Sequence, residues 1–300
     1  MVIFKSNTMR IALYGKAFES GKEEFVKEII NVLYGAGAEI SIYRPFIGNI
    51  INCLGEDIAY YTFDGYSQLK GNADVLFSFG GDGTVLDCVP LVRDSEIPVF
   101  GINLGRLGFL SSVSFDETLD AVRNILDGNF DVEPRSMVQI VGSEVLFDGI
   151  NYGLNEVSIL HRTYDSLIEV HVFVDDRLLN IYWCDGVLLS TPTGSTAYSL
   201  SAGGPIMAPN TDSFLITPIA AHNLSMRPIV ISDKSRVRIK VEGRCDNYAL
   251  GIDSRIKLVD KSFEFEIMKA DFCFKIVKMH DSDFFSTVRS KLLWGNDVRN

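Results

Sequence analysis

Directly after the apolar run Asp74–Phe79 (DVLFSF) stand Gly80-Gly81-Asp82-Gly83-Thr84. Ligands of open α/β sheets bind where strands end. Glycines there let a backbone approach phosphate, and the helix that follows offers unpaired N–H groups. A carboxylate in that place either accepts a hydroxyl proton or holds a divalent cation; otherwise Asp82 is the N-cap of an ordinary glycine-rich turn. A second cluster comprises Asp185-Gly186, the run Ser190–Ser199 (STPTGSTAYS) and Ala202-Gly203-Gly204-Pro205. Its hydroxyls and N–H groups suit ribose and phosphate oxygens, and Tyr198 offers a face to a flat ring. The plainer alternative is a hydroxyl-rich loop capping a short helix that begins near Thr196. Loops this long are uncommon without a function, which favours the first reading. Asn155-Glu156 opens the apolar segment Val157–Leu160, as a polar strand entry or as a pair that reads a base edge and a hydroxyl.

Other chemistries lose ground. No GxxxxGK[ST] is present, because Arg10 stands where its first glycine belongs ahead of Gly15-Lys16, and Gly101, Gly105 and Gly108 are misplaced for GxGxxG. Gly194-Ser195 lacks the GxSxG elbow of a serine nucleophile. His161, His171, His222 and His280 show no ligand spacing, so no metal is assigned to protein ligands; His171 is expected on the polar face of a strand.

The elements around these residues fall into two patterns. Ile11–Tyr14, Glu39–Tyr43, Asp74–Phe79 and Pro98–Ile102 read as strands. Phe25, Val26, Ile29, Ile30 and Leu33 form a helical face behind the capping pair Ser20 and Glu23, ended by Gly35 and Gly37. Ser114 with Glu117 opens another helix, with Leu119, Val122 and Ile125 inward and Gly128 at its end. Residues 47–72 read as a helix and a loop. The alternation argues for a parallel, Rossmann-like sheet covered by helices. From Pro134 onward the pattern is β-rich: Ile168, Val170, Val172 and Val174 alternate with polar partners, and Arg236–Glu242, Phe263–Met268 and Phe272–Val277 behave alike. Phe284, Phe285, Val288, Leu292 and Leu293 return to helical spacing. The expected organisation is an α/β domain over 1–133, completed by 281–300, and a β-rich domain over 134–280.

The 300 residues are 47% hydrophobic and carry 28 basic against 39 acidic side chains, a net charge of −11. That composition fits two globular domains and excludes broad disorder. An acidic chain without a basic run is a poor partner for nucleic acid or an anionic membrane, and no apolar stretch has the length of a membrane span. Met1–Arg10 lacks the apolar core of a secretory signal. The five cysteines, 53, 88, 184, 245 and 273, are scattered without CxxC, as expected of small buried thiols in a reducing cytoplasm.

Taken in order, GGDGT (80–84), GINLGRLGFL (101–110), NE (155–156), DGVLLSTPTGSTAYSLSAGGPI (185–206), HNLSMRPIVI (222–231) and the tail FFSTVRSKLLWG resemble the NAD kinase family over roughly residues 10–294. The GGDGT turn alone is shared with diacylglycerol kinases and some phosphofructokinases; the TPTGSTAYSLSAGGP run is far more specific. The resemblance implies an α/β domain, a β-rich domain and a last helix that returns to the first. It implies phosphoryl transfer to the adenosine ribose 2′-hydroxyl of NAD, with ATP or polyphosphate as donor and Mg²⁺ or another divalent ion.

By the same resemblance Asp82 is the catalytic base, and Gly80, Gly81, Gly83 and Thr84 form the phosphate loop. Asp82, Gly83, Asn155, Glu156, Asp185, Thr193, Thr196, Ala197, Tyr198, Ser199, Leu200 and Ser201 contact NAD. Asp185 would serve a neighbouring subunit's site in a homodimer or homotetramer. Trp183 departs from many bacterial members, which carry a basic or polar residue there. A lipid or sugar kinase with the same turn and a non-catalytic NAD(H) sensor are the alternatives.

Overall fold

A computed structural model describes residues 8–18, 21–55, 58–105, 108–111, 113–142, 146–161, 167–243, 246–280 and 283–294. The chain divides into two units, 1–134 with 274–300, and 135–273.

The first unit opens with β1 (Arg10–Gly15), α1 (Glu23–Gly35), β2 (Glu39–Tyr43), α2 (Arg44–Ile50) and β3 (Tyr61–Phe63). It continues with α3 (Tyr66–Leu69), β4 (Val75–Phe79), α4 (Asp82–Leu86), α5 (Val89–Val92), β5 (Val99–Ile102), α6 (Thr118–Leu126) and β6 (Asp131–Arg135). Strands β1 to β5 pair in parallel in the order β3-β2-β1-β4-β5. All five residues of β4 are buried, as a central parallel strand covered on both faces requires. The expected face of α1 is the one buried, Phe25, Val26, Ile29, Ile30 and Leu33, at roughly 1.5–3 kcal/mol per side chain. Ser20 of its capping pair lies outside the described residues. Ser114 Oγ does donate to Glu117 Oε2 (2.6 Å), but α6 begins after that pair.

Residues 47–72, expected as a helix and a loop, also contain the strand β3. It has three residues, Tyr61 is exposed, and only Phe63 is buried, so alternation leaves almost no trace in the sequence.

The second unit is all antiparallel apart from short turns. Its strands are β7 (Val138–Val141), β8 (Tyr152–Gly153), β9 (Glu156–Leu160), β10 (Ile168–Val174), β11 (Arg177–Cys184) and β12 (Gly186–Ser190). After the short helix α7 (Tyr198–Ser201) come β13 (Ser213–Ile219), β14 (Ile229–Ser232), β15 (Val237–Glu242), β16 (Asn247–Ile252), β17 (Arg255–Asp260) and β18 (Phe265–Lys269). Two six-stranded sheets, β11-β10-β15-β18-β7-β8 and β14-β13-β12-β9-β16-β17, share one core. Ile168, Val170 and Val172 point into it, while His171 lies on the polar face as expected.

The chain then returns. Strand β19 (Phe274–Lys278) lies between β5 and β6 in the first sheet, pairing in parallel with β5. Phe272–Val277 falls within the expected β-rich domain, 134–280. Its alternation is real, but Phe274, Ile276 and Val277 bury themselves in the other unit, so the return begins at 274 rather than 281. Helix α8 (Phe284–Leu292) follows, capped by Asp283, whose side chain accepts the Ser286 N–H. Its Lys291 Nζ lies 5.8 Å from the Phe109 ring centroid. Among the described residues, no helix is long and apolar enough to cross a membrane.

Candidate active-site residues

In the first unit the GGDGT turn leaves the carboxyl end of β4, and Asp82 becomes the first residue of α4. It is not an N-cap. Its side chain crosses instead to the turn after β5. There Oδ2 accepts the Phe109 N–H (2.8 Å), and Oδ1 accepts the N–H groups of Leu110 (3.0 Å) and Ser111 (3.2 Å) and the Ser111 hydroxyl (3.3 Å). The approach requires Gly108, where a Cβ would stand 1.8 Å from Asp82 Oδ1. Arg106 and Leu107 of the same segment lie outside the described residues. Gly81 and Gly83 are exposed, and a Cβ on either would meet nothing within 4 Å among the described residues. Packing therefore does not demand glycine at these two positions, whereas a close ligand would.

In the second unit Asn155 and Glu156 sit at the entry to β9, each 8% exposed. The backbone that carries them is fully bonded on both sides. Asp253, in the turn between β16 and β17, accepts the N–H groups of Leu154 (2.9 Å), Asn155 (2.8 Å) and Glu156 (3.3 Å), and its own N–H goes to the Glu156 carbonyl (3.0 Å). Thr191 supplies the other carbonyl partners: its hydroxyl donates to Leu154 O (2.6 Å) and its N–H to Asn155 O (2.8 Å). Gly194 packs so closely on this turn that a Cβ would lie 2.0 Å from Asn155 O. Arg255 clamps the preceding chain through Ile150 O (2.6 Å) and Tyr152 O (2.5 Å). The side chains of Asn155 and Glu156 are thus not needed to hold the turn. Among the described residues the buried Glu156 Oε2 has no hydrogen-bond partner, and burial first, then the Asp253 charge, push its carboxyl up to about 8.

The hydroxyl-rich run behaves differently from its sequence reading. Most of its hydroxyls bond within the fold: Thr191 to Leu154 O, Ser195 to Pro192 O (2.6 Å), Thr196 to Thr193 O (3.1 Å), Ser199 to the Thr217 hydroxyl (2.8 Å). Thr193 is buried, with Arg135 Nη1 3.4 Å from its hydroxyl. A compact buried loop must satisfy its own polar atoms, so these hydroxyls are already engaged. What the segment presents outward is Tyr198, 42% exposed, and Ser201, with Thr196, Ala197 and Leu200 half-buried between. A 3-10 turn over Thr193–Thr196 precedes α7, near where a short helix was expected.

Asp185 links β11 to β12. Its N–H bonds Ile219 O and its carbonyl accepts from His161, leaving an exposed side chain beside Trp183, itself 57% exposed. Among the described residues one trio could ligate a metal: Glu169, His171 and Glu242. His171 Nε2 already lies 2.9 Å from Glu169, and Lys240 Nζ 2.8 Å from Glu242. The trio reads as a polar network on a sheet face, with Lys240–Glu242 as its ion pair. Cys53, Cys88 and Cys184 are buried free thiols; Cys245 lies outside the described residues.

Asp253, Arg255 and the N–H groups of 109–111 carry no sequence signal that marks them. Asp253-Ser254 reads as an ordinary two-residue turn, and backbone donors carry no side-chain signature.

Comparison with known proteins agrees with the motif reading. Residues 39–130 match the ATP-NAD kinase N-terminal domain and residues 154–279 the ATP-NAD kinase C-terminal domain. An NAD kinase of Cytophaga hutchinsonii is 36% identical over 293 residues, covering 97% of this chain and 100% of that one. One from Flavobacterium johnsoniae is 37% identical over 294 residues with the same coverage. Among solved structures, yeast NADH kinase complexed with NADH superposes with a TM-score of 0.87 at 24% identity, covering 99% of this chain and 91% of that one; this likeness concerns the fold. An NAD kinase from Archaeoglobus fulgidus in complex with ATP gives 0.70 at 26% identity, covering 94% and 99%.

Proposed function

The chain belongs to the NAD kinase family, and from that premise we infer that it phosphorylates NAD to NADP with ATP as donor. The observation that carries the chemistry is Asp82. It is a half-buried carboxylate at the carboxyl end of a central strand, fixed by backbone donors and flanked by glycines that packing does not require. In this reading Asp82 orients the adenosine ribose 2′-hydroxyl and accepts its proton, while Gly80, Gly81, Gly83 and Thr84 border the phosphates. Oδ2 accepts one backbone bond and keeps acceptor capacity for that hydroxyl.

Asn155 and Glu156 hold the adenosine, and the exposed face of Tyr198 stacks on a ring of the dinucleotide. Phosphoryl transfer has a loose transition state, so positioning and charge neutralisation do most of the work. The donor set fits Mg²⁺ held mainly by phosphate oxygens and water, with Asp82 as the nearby carboxylate. Bound there, the ion would neutralise charge on the transferring phosphoryl group.

Incubation with NAD, ATP and Mg²⁺ followed by an NADP-specific assay tests this function. NADP is the expected product. Phosphorylated lipid or sugar instead, or NAD binding without turnover, would replace it with a lipid or sugar kinase or with an NAD(H) sensor. Polyphosphate in place of ATP tests the donor in the same assay.

Assembly and location belong to the same proposal: a cytoplasmic homodimer or homotetramer in which Asp185 completes a neighbouring subunit's site. Supporting it, Asp185 and Trp183 are exposed beside the edge strand β11, which also exposes Leu178. Mixed oligomers of inactive Asp82→Asn and Asp185→Ala chains should regain part of the activity, because some sites then carry neither change. No recovery despite proven subunit exchange would confine each site to one chain.

A further inference from the structure

The turn Leu154–Glu156 has each backbone N–H received by one side chain, Asp253, from a segment nearly a hundred residues later. We propose that Asp253 is the positioning residue of the NAD-binding pair: by gathering these three N–H groups it fixes the turn from which Asn155 and Glu156 engage the dinucleotide. The proposal rests on the kinase reading above and assigns a role to a residue outside the family motifs quoted from the sequence.

Three observations carry it. The Asp253 side chain is 2% exposed, so its carboxylate is not a ligand group itself. Its backbone is left-handed (φ 51°), a conformation that aspartate tolerates in a two-residue turn, and this points the carboxylate back at the turn before β9. The carbonyl side of the same turn is held independently by Thr191 and the Asp253 N–H, so losing the carboxylate frees the N–H side alone.

Asp253 also sets the electrical environment of Glu156. Two acids stand close together here, and they are not equivalent. Burial raises the Asp253 carboxyl, but its three N–H bonds and Arg255 Nη2 at 3.9 Å oppose that rise, whereas nothing of the kind opposes it at Glu156; of the two, Asp253 is the one that ionises first. Glu156 pairs across the β9–β12 ladder with the uncharged Ser190, and its buried Oε2 has no hydrogen-bond partner among the described residues, so it carries the proton. The Asp253 charge is the second cause, after burial, of the rise in the Glu156 carboxyl to about 8. A protonated Glu156 donates a hydrogen bond to an oxygen or ring nitrogen of the ligand.

Asp253→Asn and Asp253→Gly test this in the full-length chain, since both residues accept the left-handed backbone. NADP formation is measured against NAD and against ATP from pH 6 to 9, with thermal unfolding alongside. The expected result for Asp253→Asn is a KM for NAD raised by roughly tenfold, the scale of one lost charge-assisted hydrogen bond, with kcat and the KM for ATP within about twofold. Asp253→Gly should raise the KM for NAD further. The wild-type limb of kcat/KM for NAD that titrates near 8 should move to lower pH in Asp253→Asn, because a repelling charge is gone, and should vanish in Glu156→Gln.

An unchanged KM for NAD, a pH limb that stays at its wild-type position, or a parallel loss of both KM values and thermal stability would each overturn the proposal. A wild-type chain that forms no NADP overturns the kinase reading and this proposal with it. A wild-type chain that forms NADP while Asp253→Asn matches it overturns this proposal alone.

Discussion

Asp82 and Asp253 each gather three consecutive backbone N–H groups, Phe109 to Ser111 in one unit and Leu154 to Glu156 in the other. The bonding is nearly the same, and burial separates the two. Asp253 is sealed in, and burial outweighs its three donors, so its carboxyl titrates above the usual carboxylate range. It serves as a clamp on the turn before β9. Asp82 is half-exposed at the end of a strand, beside two open glycines. The same three-donor arrangement therefore makes a carboxylate structural when water is excluded, and available to a substrate when one edge stays open.

The largest effect that would break this contrast is on turnover. Asp82→Asn should lower kcat by about 10³-fold, within the range of a lost general base, while NAD affinity by calorimetry stays within about tenfold. Near-wild-type turnover would show that Asp82 is only a clamp, like Asp253.

The next effect concerns pH and Glu156, the neighbour of the buried clamp. Its carboxyl holds a proton up to about 8 in the fold, against an ordinary value of 4.5. The folded form therefore binds more protons across that window, and stability falls as pH rises through it, by up to about 1.4 kcal/mol per pH unit. Urea unfolding at pH 5, 6.5 and 8 should show a steeper fall for the wild type than for Glu156→Gln. Equal slopes would mean that Glu156 is ionised at neutral pH.

Gly108→Ala sharpens the comparison from the other unit. A methyl group 1.8 Å from Asp82 Oδ1 must displace either the carboxylate or the turn. The expected cost is about 1–3 kcal/mol, read as a lower Tm, together with reduced kcat and little change in the KM for NAD. A variant with unchanged kcat would uncouple Asp82's position from its chemistry. The smallest effect is that of Tyr198→Ala. Losing a stacking face worth about 0.5–1.5 kcal/mol should raise the KM for NAD several-fold and leave that for ATP alone. A change confined to ATP would move Tyr198 to the donor side.

The sequence spoke clearly where side-chain periodicity coincides with burial. The α1 face, strand β2 at Glu39–Tyr43 and the alternation of β10 all stand as read. It spoke poorly where the decisive partner is backbone or is distant. Alternation in Phe272–Val277 announced a strand but not the sheet it joins, since periodicity records a face and not a neighbour. The internal bonds of Thr191, Ser195, Thr196 and Ser199 were not legible, because a hydroxyl in sequence carries no mark of its partner. Ser199, paired with Thr217, is the plainest case. Asp82 was legible from its glycines, while Asp253 was hidden as an ordinary turn residue.

The placement of β19 bears on how the molecule is made. A ribosome releases β6 long before β19, the strand that must lie between it and β5. The segment 135–273 is continuous and can close its core as soon as it has emerged, whereas the first sheet waits for residues 274–278. A chain cut short before residue 274 thus retains the whole β-rich segment but leaves the α/β sheet without the strand between β5 and β6. That open strand edge marks incomplete chains for aggregation or degradation.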